Sequence, residues 1–241
     1  MATRLPALKT PPIAFAHRGA RAHAPENTLE AFTLARRLGA TGLESDVWLT
    51  TDGEAVLDHD GLVGRRGRRR RIRDVARAAL PSHIPTLADL YATCGSDVDL
   101  SLDVKDPAAF DRVVAVARAA GGEALDRLWL CHPDWTLVRT WRGACPEVRL
   151  VDSTRVSRIK EGAERRAARL ADAGIDAVNL HQVDWTGGLV TLFHRFGVLA
   201  FGWDAQLARV LADLVDMGID GVYSDHVDRM VDVVAAAYPA G

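Results

Sequence analysis

The stretch IAFAHRGARAHAPENTLEAF (13–32) contains the strand and the helix start that the rest of the chain repeats. Its apolar run Ile13–His17 is typical of a strand, and Thr28–Leu38 has a helical pattern. Seven more apolar runs follow, nearly all separated by helical patterns. Because parallel neighbours in a sheet need a crossover connection, this alternation predicts an α/β protein with a parallel sheet. Eight βα units in 241 residues favour a closed (β/α)8 TIM barrel over an open sheet.

The alternation extends over most of the chain. The predicted strands are Ile13–His17, Gly42–Leu49, Val98–Val104, Arg127–Cys131, Val148–Asp152, Ala177–Leu180, Val198–Trp203 and Gly221–Ser224. The predicted helices include Thr28–Leu38, Ala108–Ala120, Glu161–Ala173, Gly188–Phe196 and Gln206–Met217. Glycine follows several of these helical patterns, where a left-handed residue commonly ends a helix. No linker-like composition interrupts the alternation, so we expect a single domain over residues 1–241.

The composition is that of an ordinary soluble globular protein, with 48% apolar and 26% charged residues. A formal net charge of -2 gives no strong attraction to nucleic acid or to a membrane. No apolar stretch is long enough to span a bilayer, and residues 1–12 lack the apolar segment of a signal peptide. The three cysteines lack paired C-x-x-C spacing and are expected to be reduced thiols. We therefore expect a cytoplasmic protein with no nucleic-acid partner and no stable membrane insertion, while its oligomeric state stays open.

An internal echo places polar residues at corresponding strand ends. The segments GATGLESD (39–46), GIDAVNLH (174–181) and GIDGVYSD (218–225) share a glycine, an apolar strand, and polar residues at the fifth and seventh places after the glycine. In each segment the polar end falls at the C-terminal edge of the strand. Barrel enzymes build their active sites on that face, so these side chains are candidates for a site.

Acidic side chains at two of these strand ends predict a cation site. Glu44 and Asp46 are two residues apart, and so are Asp103 and Lys105, so each pair shares one face of its strand. In a barrel that shared direction can be inward, and three converging carboxylates would repel one another unless a cation held them. Oxygen ligands of this kind suit Mg²⁺ or Ca²⁺. The alternative is that these side chains are simply solvated at the strand ends.

The first strand ends in an adjacent histidine and arginine, a pair that suits an anion rather than a core. Arg18 presents a planar fork of donors for phosphate oxygens, and His17 titrates near neutral pH. His59, in VLDHD, is a second strand-end histidine. Two imidazoles on opposite sides of a phosphodiester could act as base and acid, while Lys105 adds a positive charge. The sequence therefore predicts phosphoryl chemistry at this end of the barrel.

Four further residues are possible members of the same site. Glu26 and Asn27 lie where the chain leaves the predicted barrel mouth, and Glu26 could be a further metal ligand or orient His17. His181 and Asp225 occupy the echoed strand-end positions. Either of them can line the pocket, and a purely structural, hydrogen-bonded role is the equally weighted alternative.

At these residues the chain resembles the glycerophosphodiester phosphodiesterase family. The resembling pieces are AHRGA (16–20), PENTLEAF (25–32), LESDVWLTTDGEAVLDHD (43–60), IPTLADL (84–90), LDVK (102–105), FGWD (201–204) and GIDGVYSD (218–225). They occur in order over most of the chain, and their combination is specific. The resemblance implies a TIM barrel that hydrolyses glycerophosphodiesters to glycerol 3-phosphate and an alcohol with a divalent cation.

The resemblance also implies roles for individual residues. The matching positions are Glu44, Asp46 and Asp103 for metal ligands, His17 and His59 for the acid–base pair, Arg18 and Lys105 for phosphate contacts, and Trp203 for an aromatic wall of the pocket. It further implies attack by the neighbouring glycerol hydroxyl through a cyclic phosphate, which makes the step intramolecular. Asp103 departs from the family pattern, in which this ligand is usually Glu, so the metal geometry or identity can differ.

A second departure is the Arg-rich loop Gly64–Arg71, with its basic run Arg65–Arg71, where the family often continues with an Arg-Thr-Thr-like stretch. A solvated loop, attraction to anionic lipid or substrate, and nucleic-acid binding are the alternatives for this run. For the whole protein, one alternative function is a phospholipase D-type barrel that acts on lysophospholipid or sphingomyelin. The other is a non-catalytic phosphate-binding protein. The sequence leaves the preferred alcohol group open.

Overall fold

Eight parallel strands close into a ring in the computed structural model, which describes residues 4–65 and 67–239. The strands are β1 (Ile13–Ala16), β2 (Gly42–Leu49), β3 (Ala55–Leu57), β4 (Leu62–Val63), β5 (Arg70–Arg71), β6 (Asp99–Val104), β7 (Leu128–His132), β8 (Arg149–Thr154), β9 (Ala177–His181), β10 (Leu199–Trp203) and β11 (Gly221–Ser224). All except β3, β4 and β5 belong to the ring. Each ring strand pairs with the next one along the chain, and β11 pairs with β1. The predicted (β/α)8 TIM barrel is confirmed, while the domain extent of 1–241 stays a prediction.

One helix follows each ring strand among the described residues. The helices are α1 (Leu29–Arg37), α2 (Leu87–Cys94), α3 (Phe110–Ala120), α4 (Trp135–Ala144), α5 (Ala163–Asp172), α6 (Gly187–Arg195), α7 (Ala208–Asp216) and α8 (Val227–Ala237). The predictions had not included α2, α4 and α8. A local signal for α2 exists, because Thr86 and Asp89 form a reciprocal capping box at its start. In the described part of the chain, the helices lack the length and apolar character needed to cross a membrane.

The three strands outside the ring form an insertion between β2 and α2. β3 pairs antiparallel with the end of β2, and β4 pairs antiparallel with β5. A small apolar cluster of Val56, Ile72, Val75, Leu80 and Ile84 is buried beneath the insertion. The insertion matters for the site because His59 lies between β3 and β4.

The core has two layers, one inside the barrel and one between the barrel and its helices. Aromatic rings fill the inner layer, where Phe15 and Tyr223 stack with ring centroids 4.5 Å apart. Glycines on the strands leave room for these rings. A Cβ atom at Gly42 would lie 2.4 Å from Cδ1 of Phe15, and one at Gly221 would lie 2.8 Å from Cδ1 of Phe201. The inner layer therefore closes the barrel beneath its C-terminal mouth.

Gly42→Ala is expected to lower the free energy of unfolding by about 1–3 kcal/mol, because the added methyl group overpacks the inner layer. Gly143→Ala is the matched control, since nothing lies within 4 Å of a Cβ atom there and Gly143 is inside α4. In a helix this change stabilises by roughly 0.5–1 kcal/mol. Urea unfolding monitored by circular dichroism measures both changes. Equal stability of the two variants would contradict the packing of Phe15 against Gly42.

Candidate active site

A cavity of about 440 Å³ opens at the C-terminal ends of the ring strands. The predicted site residues that line it are His17, Arg18, Glu44, Asp46, His59, Asp103, Lys105 and Trp203. Four further candidates, Glu26, Asn27, His181 and Asp225, lie behind this lining, each hydrogen-bonded to a residue of the cavity wall. The structure thus brings the eight principal candidates to one cavity at the expected end of the barrel.

Three carboxylates converge on one wall of the cavity. An oxygen atom from each of Glu44, Asp46 and Asp103 lies within 4.8 Å of the others. The strand register explains this, because Asp46 is the direct partner of Asp103 across β2 and β6, and Glu44 points to the same side two residues earlier. Glu44 and Asp46 are buried, and Asp103 is half-buried. Glu44 and Asp46 are therefore not solvated strand ends, while Asp103 is partly open to the cavity.

Burial makes this carboxylate group unfavourable without a positive charge. The pKa of Glu44 is raised to about 7, chiefly by burial; His17 opposes this shift, whereas the charges of Asp46 and Asp103 add to it. Three converging carboxylates with hard oxygen donors fit a divalent cation such as Mg²⁺ or Ca²⁺. The donor set of Glu44, Asp46 and Asp103 is thus suitable for holding such an ion.

Lys105 supplies a positive charge beside the same carboxylates. Its Nζ atom lies 3.0 Å from Oδ1 of Asp46 and 2.9 Å from Oδ2 of Asp103. Burial opposes the charged form, but the two carboxylates outweigh burial, so the pKa of Lys105 is raised above its ordinary value. Lys105 therefore stays protonated and presents an ammonium group to the cavity that it lines.

His17 is held from behind by a carboxylate. Its Nδ1 atom lies 2.6 Å from Oδ1 of Asp225, so Nδ1–H donates to Asp225, and its Nε2 atom lies 3.9 Å from Oε2 of Glu44. Burial alone would lower the pKa of His17, but the charge of Glu44 and the hydrogen bond to Asp225 outweigh it, and the pKa is raised. Burial would raise the pKa of Asp225, but its bond to His17 and the charge of Arg21 lower it. The arrangement orients His17 and leaves its Nε2 atom outside the bond to Asp225.

The loop that follows β1 adopts a strained backbone. Arg18 and Asn27 have positive φ angles of 52° and 54°, and Asp204, after β10, has 63°. These three are the positive-φ residues other than glycine among residues 4–65 and 67–239, and each costs on the order of 1–3 kcal/mol. Arg18 and Asp204 line the cavity, and Asn27 lies behind it. Strain of this kind is typical of functional sites.

The loop after β1 brings two groups of Arg18 close to the carboxylates of Glu44 and Asp46. The backbone N–H of Arg18 donates to Oε2 of Glu44 at 2.8 Å, and Nε of Arg18 lies 3.5 Å from Oδ2 of Asp46. Gly19 allows this turn, because its φ is 79° and a Cβ atom there would lie 2.7 Å from Cβ of Ala31 in α1. Asn27 is buried and accepts a hydrogen bond from Ser45 at 2.8 Å. The backbone of this turn therefore requires glycine directly after Arg18.

Glu26 forms ion pairs with two arginine side chains, those of Arg18 and Arg21. Both of its oxygens accept from Nη1 of Arg18 at 3.1 Å, and Oε2 lies 2.6 Å from Nε of Arg21. Arg21 in turn reaches Oδ2 of Asp225 at 3.3 Å. Glu26 therefore orients Arg18, and its carboxylate is not part of the group formed by the other three.

His59 reaches the cavity from the insertion. Its side chain is 39% exposed, and Nδ1 lies 2.8 Å from Oδ1 of Asp60, which leaves Nε2 for the cavity. The backbone around it is fixed by Trp48, whose Nε1–H donates to the carbonyl of Asp58 at 2.8 Å. A Cβ atom at Gly61 would lie 2.4 Å from the Trp48 ring. The backbone on both sides of His59 is thus held against Trp48, at Asp58 and at Gly61.

Trp203 and His181 form a pair at the mouth. Their rings meet edge to face with centroids 4.4 Å apart. Nδ1 of His181 accepts from the backbone N–H of Val183 at 3.2 Å, so Nε2 carries the proton and donates to Oδ2 of Asp204 at 3.1 Å. His181 therefore supports Trp203, and Trp203 provides an aromatic surface at the mouth of the cavity.

Several cavity residues were missed by the sequence predictions. They are Ser101, Cys131, Ser153, Thr154, Arg155, Arg158, Asn179, Asp204 and Tyr223. The internal echo could have identified Asn179 and Tyr223, which stand five residues after its glycines. Arg155 binds Asp184 at 2.6 Å, and burial raises the pKa of Cys131 so that this thiol stays protonated. Arg155 and Arg158 follow β8 in a loop that has no local signature.

Comparison with known proteins identifies similar chains. The model of the Glycerophosphoryl diester phosphodiesterase family matches residues 17–229. A Mycobacterium tuberculosis protein named "Probable glycerophosphodiester phosphodiesterase 2" is 31% identical, with 93% of this chain and 91% of that protein covered. The crystal structure of glycerophosphodiester phosphodiesterase from Thermotoga maritima gives a TM-score of 0.79 at 24% identity, over 92% of this chain and 98% of that one. An Oleispira antarctica phosphodiesterase in complex with the product sn-glycerol-3-phosphate gives a TM-score of 0.80 at 22% identity, over 92% and 96%.

Proposed function

The chain belongs to the glycerophosphoryl diester phosphodiesterase family, and from this we propose that it hydrolyses glycerophosphodiesters to glycerol 3-phosphate and an alcohol. The observation that carries the proposal is the meeting of three carboxylates and two imidazoles in one cavity at the C-terminal end of the barrel. The similar Oleispira antarctica enzyme is described with sn-glycerol-3-phosphate as its product, which supports the same substrate class.

We propose that a divalent cation, Mg²⁺ or Ca²⁺, is held by Glu44, Asp46 and Asp103. When bound, it would supply Lewis-acid stabilisation of the charge on the phosphoryl oxygens. The shorter Asp103 side chain is compatible with this role, because its register partner is Asp46 and the two carboxylates already meet. Arg18 and Lys105 would bind the remaining phosphate oxygens as positively charged donors.

The two histidines are suited to move the protons of the reaction. As the new bond from the attacking oxygen to phosphorus forms, one imidazole takes the proton of that oxygen. As the bond from phosphorus to the alcohol oxygen breaks, the other imidazole donates a proton to the leaving alcohol. Attack by the neighbouring glycerol hydroxyl would give a cyclic phosphate, which water then opens to glycerol 3-phosphate. His17 and His59 line the same cavity, and each has its Nδ1 atom bound to a carboxylate.

A direct assay tests the proposal. We expect glycerol 3-phosphate to be released from glycerophosphocholine and glycerophosphoglycerol in the presence of Mg²⁺ or Ca²⁺. The same assay with lysophosphatidylcholine and sphingomyelin tests the phospholipase D-type alternative, for which the product is a lipid that carries phosphate. Turnover of the lipids without turnover of the small diesters would replace the proposed substrate class. Binding of phosphate with no turnover of any diester would contradict enzymatic function.

Asp225→Asn is expected to move the His17 limb of the pH–rate profile to lower pH by about one unit or more. In the native protein the bond to Asp225 helps to raise the pKa of His17, and asparagine keeps the shape without the negative charge. The limb moves to lower pH whether His17 acts as the base or as the acid, because in both cases its midpoint follows the pKa of His17. The measurement is kcat/KM across pH. A limb that does not move would show that Asp225 does not act on His17.

A further inference from the structure

The insertion after His59 concentrates positive charge. We define the arginine hairpin as residues 61–77, which include β4 and β5. It contains eight arginines and Asp74 as its acidic residue, so it carries seven net positive charges in a chain of net charge -2. The rest of the chain therefore carries nine net negative charges. Arg66 is one of the eight and lies outside the described residues. The positive charge concentrated in the hairpin has no role in the proton transfers and phosphate contacts proposed for the active site.

The described arginines of the hairpin lack acidic partners. They are Arg65, Arg68, Arg69, Arg70, Arg71, Arg73 and Arg77, and within the described part of the chain none forms an ion pair with a carboxylate. Elsewhere, arginines such as Arg36, Arg112 and Arg142 do form such pairs. All the described arginines of the hairpin are exposed except Arg77, which is half-buried. Their positive charge is therefore available to an external anion.

The hairpin is anchored rather than loosely attached. Ile72 and Val75 are buried in the small apolar cluster beneath the insertion. The N–H of Ile72 donates to the carbonyl of Gly61 at 2.9 Å, and the N–H of Thr51 donates to the carbonyl of Val75 at 3.1 Å. These contacts anchor the backbone of the hairpin, from which the described arginine side chains other than Arg77 project into solvent. A dense cluster of exposed positive charges fits a multivalent anionic partner better than a single small anion.

The hairpin also lies at the substrate end of the barrel. It begins two residues after His59, which lines the cavity. Leu62, at the start of β4, is 42% exposed beside the arginines. A partner bound to the hairpin would therefore lie next to the mouth of the active site, without occupying the cavity.

We propose that the arginine hairpin docks the protein onto the surface of an anionic phospholipid bilayer. Basic residues at such a surface add roughly fivefold in affinity each, and the attraction is screened by salt. The net negative charge of the remaining chain favours a bilayer over nucleic acid. The docking is peripheral and involves no insertion of a helix.

Vesicle co-sedimentation tests the docking. We expect the native protein to bind vesicles of phosphatidylcholine with about 30% phosphatidylserine, to bind vesicles of phosphatidylcholine alone at least tenfold more weakly, and to dissociate at high salt. Changing Arg68, Arg69, Arg70 and Arg71 to Gln is expected to weaken binding by about 10²-fold or more. The same four positions changed to Lys keep the charge and are expected to keep most of the binding.

A matched control removes four exposed arginines from other surfaces, namely Arg37, Arg139, Arg165 and Arg195, all changed to Gln. This variant has the same net charge as the hairpin variant and is expected to bind the vesicles nearly as well as the native protein. Hydrolysis of small soluble diesters serves as a folding control for both. Equal loss in the two variants, equal binding to both vesicle types, or preferential binding to duplex DNA would each overturn the proposal.

Discussion

His17→Ala is expected to lower kcat/KM for glycerophosphoglycerol by about 10²–10⁴-fold, the usual contribution of a positioned proton-transfer group. The change removes the imidazole whose Nε2 atom faces the cavity and whose Nδ1 atom is bound to Asp225. The loss should fall mainly on kcat, because the groups proposed to bind phosphate, Arg18 and Lys105, remain. Measurement of glycerol 3-phosphate release at saturating and limiting substrate separates kcat from KM.

His59→Ala is expected to give a loss of the same order, since the second imidazole serves the other proton transfer. The matched control is His23→Ala, which removes an exposed histidine that pairs with Asp228 outside the cavity. That variant should keep the native rate. An enzyme that retains its full rate after either cavity histidine is removed would contradict the assigned roles. A loss shared equally by all three variants would point to a folding defect instead.

Glu44→Gln is expected to abolish most of the affinity for Mg²⁺ or Ca²⁺ and to lower activity by about 10³-fold or more, since the cation is proposed to neutralise the developing charge. Isothermal titration with the metal alone measures the affinity without reference to turnover. Removing the metal from the native enzyme with a chelator should produce a similar loss of activity, reversed by adding back Mg²⁺ or Ca²⁺. Full activity in the chelator would contradict metal dependence.

For the metal-free protein, Glu44→Gln is also expected to change how stability depends on pH. The pKa of Glu44 is raised in the fold to about 7 from an ordinary value of 4.5. The folded state therefore binds more protons than the unfolded state between these values, and the native protein loses stability as pH rises from about 4.5 to 7. Glutamine cannot ionise, so Glu44→Gln should be the more stable protein at pH 8 in chelator. Lower stability of the variant under these conditions would indicate that Glu44 has a structural role.

The barrel was predictable because its signal is local. The bounds of β2 and β11 agree with the predicted strands Gly42–Leu49 and Gly221–Ser224. The other ring strands differ from prediction by one or two residues at one or both ends, as for β8, where Arg149–Thr154 replaces Val148–Asp152. Strand ends are less certain than strands because hydrogen bonding to both neighbours, rather than residue type, decides where pairing stops.

Part of the candidate site was also predictable. Side chains two residues apart on a strand share a face, so Glu44 with Asp46 could be placed together from their spacing alone. The arginines of the β8 loop could not, since Arg155 and Arg158 follow a strand without any motif and reach the cavity only through the path of that loop. The role of Glu26 was likewise open, because its carboxylate had several partners within reach and the fold placed it on Arg18.

By itself, the sequence determined the order of strands and helices and the residue types at the strand ends, because hydrophobic periodicity and turn chemistry act between near neighbours. Only the tertiary structure decided which of those side chains touch. His17 meets Asp225, 208 residues away, because β11 closes the ring against β1. Lys105 reaches Asp46 because β6 lies in register beside β2. Such contacts depend on ring closure and strand register. These are properties of the whole barrel, and no single segment of the sequence determines them.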